Sequence, residues 1–212
     1  ISMVVKEELL KSHREGVLLE EIEPRFQLRV NVQKGEIPSG AEVYVYWKGR
    51  PPEEFAQSAK DLGLSNEIYK EVVRKAIPVM KEALKINPRL KFTFRLYRMQ
   101  VESFGTLGEL LNIFRQEGIS YRNIELEADL EFLYEKGKER LRTEIMKRLF
   151  YLSITTNLIL KTQEEVCLPL ELLKELIIEK VELGRGIIEE VFRNMDSIKF
   201  EGDVRLLKAL VR

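Results

Sequence analysis

The chain has 212 residues, 35 Lys/Arg against 35 Asp/Glu, 44% hydrophobic residues and 33% charged ones. That is enough apolar material for one large domain or two small ones. A single cysteine, Cys167, excludes an intrachain disulfide and a thiolate zinc site, and a single histidine, His13, leaves Ser-His and Cys-His catalysis with almost nothing to work with.

In chain order, Val4–Ser12 reads as a short helix. Phe26–Gln33 alternates strictly, with Phe26, Leu28, Val30 and Val32 on one side and Gln27, Arg29, Asn31 and Gln33 on the other, the period of a half-buried strand. Gly35, Pro38 and Gly40 form a turn-rich connector, and Glu42–Lys48 is the second strand of an expected antiparallel hairpin. Pro51-Pro52 ends it and opens a helix over Glu53–Leu62, closed by Gly63. Ser65 begins the next helix, through Ile86, with Tyr69, Val72, Val73, Ala76, Met80, Ala83 and Leu84 facing inward and Pro78 expected to kink or split it. Leu90–Tyr97 is a third alternating strand.

The second half reads as helical: Thr106–Gln116, a long helix from about Asn123 to Lys161, another from Pro169 to about Met195, and a short one over Leu206–Val211. Ile124–Phe132 is ambiguous. As a strand it would place Glu125, Glu127, Asp129 and Glu131 on one face, suited to Mg²⁺. Glu, Leu and Ala are helix formers, however, and Asn123 is a fair N-cap, so the helix is preferred. On that helix Leu130, Leu133, Leu141, Ile145 and Leu149 should be buried, with Leu173, Ile177, Val181, Ile188 and Val191 in the one after. Glu127, Glu131, Glu135 and Glu139 should face water or a partner.

The expected fold class is therefore α+β: a small antiparallel sheet with helices in ββααβ order over residues 1–103, then an all-helical module over residues 104–212. No apolar run resembles a signal peptide. The longest uncharged stretch, Leu149–Leu160, is too short to span a bilayer, so the expected location is the cytoplasm and no membrane partner is expected. The abundance of Glu, Lys, Arg and Ile over Asn and Gln is thermophile-like.

Charge is unevenly distributed. Residues 1–100 hold 18 Lys/Arg against 14 Asp/Glu, and Lys70–Arg98 alone holds nine basic residues and two acids. On a helix, Lys70, Arg74, Lys81 and Lys85 fall within about 60° of one another. If the outer faces of the three strands align, Arg29, Asn31, Tyr44, Tyr46, Lys91, Arg95 and Tyr97 share a surface fit for phosphates and base stacking.

Neither GxGxxG nor GxxxxGK[ST] occurs. His13 reads as an exposed surface residue and Cys167 as a buried inert thiol. The expected function is a non-catalytic subunit or adaptor without a cofactor. It would contact nucleic acid, or an acidic protein surface, through Lys70, Arg74, Lys81, Lys85, Arg29, Tyr46, Lys91, Arg95 and Tyr97, with the helical module serving self-association or a hetero-complex. The alternatives are a Mg²⁺-dependent nuclease or phosphotransfer enzyme using Glu125, Glu127, Asp129 and Glu131, and a protein–protein scaffold with no nucleic-acid contact.

Overall fold

The computed structural model describes residues 2–31, 35, 37–96, 104–129, 144, 147–149, 151–152, 157–161 and 180–182. Backbone contacts divide the chain into two compact units, Ile1–Phe94 with Gly105–Ile124, and Arg95–Phe104 with Glu125–Arg212.

The first unit opens with helices α1 (Ser2–Arg14) and α2 (Leu18–Glu21), followed by strands β1 (Ile22–Asn31) and β2 (Ile37–Trp47). Helices α3 (Pro52–Asp61) and α4 (Ser65–Ile86) lead to β3 (Lys91–Leu96) and then α5 (Phe104–Gln116). β1 and β2 form the antiparallel pair that alternation predicts, with Gln27 opposite Glu42 and Phe26 opposite Val43.

β3 joins parallel to β2, with Gly40 beside Lys91 and Glu42 beside Thr93. Two helices separate the strands, and a crossover of that length returns the chain in the same direction. Gly40 permits the approach: a Cβ there would stand 1.8 Å from the Lys91 carbonyl oxygen.

One sheet face is apolar. Ala41, Val43, Trp47, Phe92 and Phe94 are buried on it, Phe26 meets Phe92 edge-on at 6.4 Å between ring centres, and Phe94 meets Phe114 of α5 at 5.2 Å. α4 packs against β1 and β2 with Val72, Val73, Ala76 and Met80 buried, as its periodicity predicts. It runs unbroken through Pro78, which lies on the exposed side, so the expected split does not occur. Lys75 fastens α4 to the start of β1 by donating to the carbonyls of Leu19 at 2.6 Å and Ile22 at 2.7 Å.

The second unit corrects the expectation of an all-helical module. β4 (Ile124–Asp129), β5 (Asn157–Lys161) and β6 (Lys180–Glu182) pair in parallel, β4 with β5 and β5 with β6. The class is α/β with a mostly parallel sheet, not α+β with a small antiparallel one. The physical reason lies in β4. Ile124, Leu126 and Ala128 are buried on one side while Glu125 and Glu127 are buried on the other. Parallel strands are covered on both faces, so burial on both sides prevails over the helix propensity of Glu, Leu and Ala. Glu127 is thus buried, contrary to its expected exposure, and Asn157–Lys161 is strand rather than the end of a long helix. Leu149 and Leu152 are buried, and Leu149 was so expected.

The expectations for Tyr97, Leu130, Glu131, Leu133, Glu135, Glu139, Leu141, Ile145, Cys167, Leu173, Ile177, Ile188 and Val191, and for the side chains of Asn31, Asp129 and Val181, lie outside the described residues. Among the described residues no helix is long and apolar enough to cross a membrane.

Candidate functional site

The sheet face opposite α4 is polar along its length. Register places Arg29, Gly40 and Lys91 in one row and Gln27, Glu42 and Thr93 in the next. Arg25 with Tyr44, and Glu23 with Tyr46, continue the face along β1 and β2. Glu42 sits on the middle strand of the three, about a quarter exposed. Its carboxylate accepts from the Tyr44 hydroxyl and, at 3.5 Å, from the Arg29 guanidinium, which also donates to the hydroxyl of buried Thr93. A cation, an anion, a phenol and two neutral polar groups therefore share one face of the sheet. Further along, Arg25 is held by Glu23 at 2.8 Å and lies 4.1 Å from the centre of the Tyr46 ring.

Of the residues singled out from sequence, Arg29 and Lys91 come together in one row of this face, Tyr46 lies at its other end beside Glu23, and Arg95 is exposed further along β3. Lys70, Arg74, Lys81 and Lys85 lie on α4, which covers the other face, and each is engaged. Lys70 meets Glu109 at 3.0 Å, Lys81 meets Glu117 at 3.1 Å, Lys85 meets Glu82 at 2.6 Å and Arg74 meets Glu71 at 3.9 Å. Each cation of the stripe thus has an acidic neighbour within the chain, while Arg74, Lys81 and Lys85 remain exposed to solvent. Glu42, Gln27, Arg25 and Thr93 escaped the sequence reading. The available signal was an acid in mid-strand, alternating onto the same side as Tyr44 and Tyr46.

In the second unit Glu125 and Glu127 are 1% and 3% exposed. Their register partners on β5 are Asn157 and Ile159, and Asp129 is in register with Lys161. Ionised carboxylates are costly to bury without cations or donors around them. Among the described residues no three His, Cys, Asp or Glu stand close enough to hold a metal ion by themselves. Mg²⁺, however, is commonly held by one or two carboxylates with water and substrate phosphate completing its shell, and the all-oxygen pair Glu125 and Glu127 fits that mode.

A second cluster of charges closes the far end of β2. The indole N–H of buried Trp47 donates to Glu21 at 2.8 Å, and Lys48 reaches the same carboxylate at 3.2 Å. Arg50 donates to Glu8 of α1 at 2.6 Å and lies 4.8 Å from the Trp47 ring centre. The hydrogen bond from Arg50 is the largest influence on Glu8 and lowers its pKa. For Glu21 the largest single influence is burial, which raises the pKa, but the hydrogen bonds from Trp47, Ser12 and Lys48 together outweigh it and the net shift is downward.

A carboxylate with a lowered folded-state pKa stabilises the fold above its unfolded value, about 4.3 for Glu, and that stability is lost as pH falls through the folded-state pKa. Acid unfolding followed by circular dichroism should therefore begin at a higher pH in Glu8→Gln and Glu21→Gln than in the wild type, because the variants have lost these contributions already. Coincident acid transitions would show that the cluster contributes nothing to the pH dependence.

No protein-family model matches this chain, and no curated protein matches it in sequence. Solved structures do match. The EAL enzyme Bd1971, bound to cAMP and cyclic-di-GMP, superposes with a TM-score of 0.74 at 13% identity over 99% of this chain and 57% of that one. The PaMucR phosphodiesterase in complex with cyclic-di-GMP gives 0.73 at 18% identity over 96% and 81%. The FimX EAL domain from Pseudomonas aeruginosa bound to cyclic-di-GMP gives 0.65 at 16% over 96% and 79%. The fold is thus that of EAL domains, a TIM-barrel-like α/β class. This chain spans little more than half of the Bd1971 chain.

The likeness corrects the functional expectation as well. The bound molecules in these neighbours are cyclic nucleotides and a cyclic dinucleotide, not nucleic acid or an acidic protein. With the α4 cations already paired, the reading of an adaptor that binds nucleic acid or an acidic surface is withdrawn.

Proposed function

We propose that this chain is a phosphodiesterase-type domain that binds a cyclic dinucleotide and hydrolyses one of its phosphodiester bonds with the help of a divalent metal ion. The observation that carries the reading is the placement of acids at the centre of parallel strands. Glu42 is half-buried on β2, and Glu125 and Glu127 are buried on β4. Apolar side chains would stabilise such strands more, and rules of local stability are broken chiefly where function requires it. The likeness to EAL structures, one a phosphodiesterase and several holding cyclic-di-GMP, supplies the substrate class.

Within the first unit, Arg29 and Lys91 offer positive charge to an anionic ligand, with Arg29 oriented by Glu42 and Thr93. Glu125 and Glu127 would hold Mg²⁺. When bound, the ion supplies a Lewis acid for the phosphoryl oxygen and a more acidic water. The two residue sets are tested separately.

Incubation of the full chain with cyclic-di-GMP and Mg²⁺ should yield the linear dinucleotide, resolved by liquid chromatography, and EDTA should stop the reaction. Glu127→Gln should abolish metal-dependent turnover while binding of the dinucleotide persists. Full turnover in EDTA, or in Glu127→Gln, would refute the assignment of the metal to β4.

A further inference from the structure

We propose that the outer edge of β1 is a dimer interface, pairing antiparallel with β1 of a second copy of this chain. β1 is an end strand: among the described residues its one strand neighbour is β2. An open edge offers its backbone donors and acceptors to another strand, and proteins guard against this with Lys, Pro or inward-pointing charge. Pro24 guards only the first part of β1. Residues 26–31 contain no lysine and no further proline.

The strand is also apolar where cover is missing. Phe26, Leu28 and Val30 lie on the face against which α4 packs, yet Leu28 is 70% exposed and Val30 is exposed as well. α4 continues this strip. It returns the chain between the parallel strands β2 and β3, so it runs antiparallel to them and in the same direction as β1. Lys75, Val79 and Ile86 fall within about 40° of one another on its surface. Lys75 donates to the carbonyls of Leu19 and Ile22, so this flank faces the start of β1. From there to Ile86 the helix rises about 16 Å, and from Ile22 to Leu28 the strand rises about 20 Å. Ile86, 88% exposed, therefore stands near the level of Leu28, with exposed Val79 between it and Lys75.

Charge selects the register. A two-fold axis normal to the sheet keeps the apolar face continuous only if it passes beside a residue that pairs with its own copy. Centring on Gln27 sets Arg25 against the partner's Arg29, and centring on Arg29 sets it against itself. Like charges directly opposite destabilise a sheet. Centring on Phe26 brings Pro24, which has no donor, into the ladder, and centring on Val30 leaves only residues 29–31 of β1 to pair. Leu28 remains. About it, Leu28 meets Leu28, Phe26 meets Val30, Gln27 meets Arg29 and Arg25 meets Asn31. The apolar face gains an aromatic and β-branched pair on each side of the axis, and no like charges are opposed.

The test is sedimentation equilibrium of the full chain over a concentration series, in wild type, Leu28→Lys and Met3→Lys. Met3 is a similarly exposed apolar residue on α1, away from the strip, and serves as the control. Register is read separately by oxidising Leu28→Cys and Gln27→Cys, each made together with Cys167→Ser so that the introduced thiol is the only one. Directly opposed residues have Cα atoms about 4.5–5.5 Å apart, within disulfide reach, whereas residues two places out of register stand about 7–8 Å apart, beyond it.

The wild type is expected to be a dimer that dissociates on dilution, and Met3→Lys to match it. Leu28→Lys loses two buried leucines and opposes two ammonium groups, so its dissociation constant should rise by about 100-fold or more. Leu28→Cys should form a disulfide-linked dimer and Gln27→Cys should not. A monomer at every concentration overturns the proposal and leaves the edge to a strand of a different protein. A dimer untouched by Leu28→Lys, one lost equally in Met3→Lys, or cross-linking through Gln27→Cys as readily as through Leu28→Cys also overturns it. The cysteine pair keeps the proposal testable should Leu28→Lys fail to fold.

Discussion

Trp47→Ala is expected to destabilise the first unit by about 3–5 kcal/mol, the usual cost of truncating a buried aromatic residue to alanine. Trp47 is fully buried and meets Phe55 of α3 edge-on at 5.9 Å between ring centres. Its indole N–H is also one of the donors that hold Glu21 ionised, so the truncation opens a cavity and removes a hydrogen bond to a charged group together. Trp47→Phe should keep most of the packing and lose the donor, giving an intermediate loss. Because Trp47 is the only tryptophan, urea unfolding must be followed by circular dichroism rather than by intrinsic tryptophan fluorescence. A loss below about 1 kcal/mol would mean that the end of β2 is not part of the cooperative core.

The second large effect is functional. Glu42→Gln should weaken binding of a cyclic dinucleotide by about tenfold or more, the scale of one charge-assisted hydrogen bond lost when its cation is no longer held in place. The melting temperature should change little, because glutamine preserves shape and can still accept from Tyr44. What it loses is the negative charge that orients Arg29. The loss should fall on dinucleotide affinity, because Glu42 acts by positioning Arg29. Arg29→Lys should mimic it, since an ammonium cannot serve Glu42 and Thr93 with the same planar fork. Wild-type affinity in Glu42→Gln would exclude this face from ligand binding.

Much of the first unit can be read from its residues. The strands β1, β2 and β3 announce themselves by alternation, and α4 by Tyr69, Val72, Val73, Ala76 and Met80 on one side. The direction of β3 relative to β2 cannot be read in the same way, because period two is the same for parallel and antiparallel pairing. β4 fails for a different reason. Its residues do alternate, Ile124, Leu126 and Ala128 against Glu125, Glu127 and Asp129, but Glu, Leu and Ala are also good helix formers, and acids on one side look solvent-facing until the structure buries Glu125 and Glu127.

The basic stripe on α4 is real as a pattern and misleading as a function. Its acidic partners Glu109 and Glu117 lie 39 and 36 residues further along the chain, and no local pattern reveals them. The polar face around Glu42 was half legible. Arg29, Tyr44, Tyr46 and Lys91 were grouped by alternation, whereas the acid at their centre stood out only once register placed Gln27 and Thr93 on either side of it.

The proposed function requires that this chain bind a cyclic dinucleotide. Calorimetric titration of the full chain with cyclic-di-GMP tests it most directly, with Ca²⁺ in place of Mg²⁺ to slow turnover. Saturable binding is expected, weakening strongly in Arg29→Ala and unchanged when Lys70 and Lys81, engaged elsewhere by Glu109 and Glu117, are replaced by glutamine. Absence of binding, or binding that depends on Lys70 and Lys81 and ignores Arg29, would contradict it.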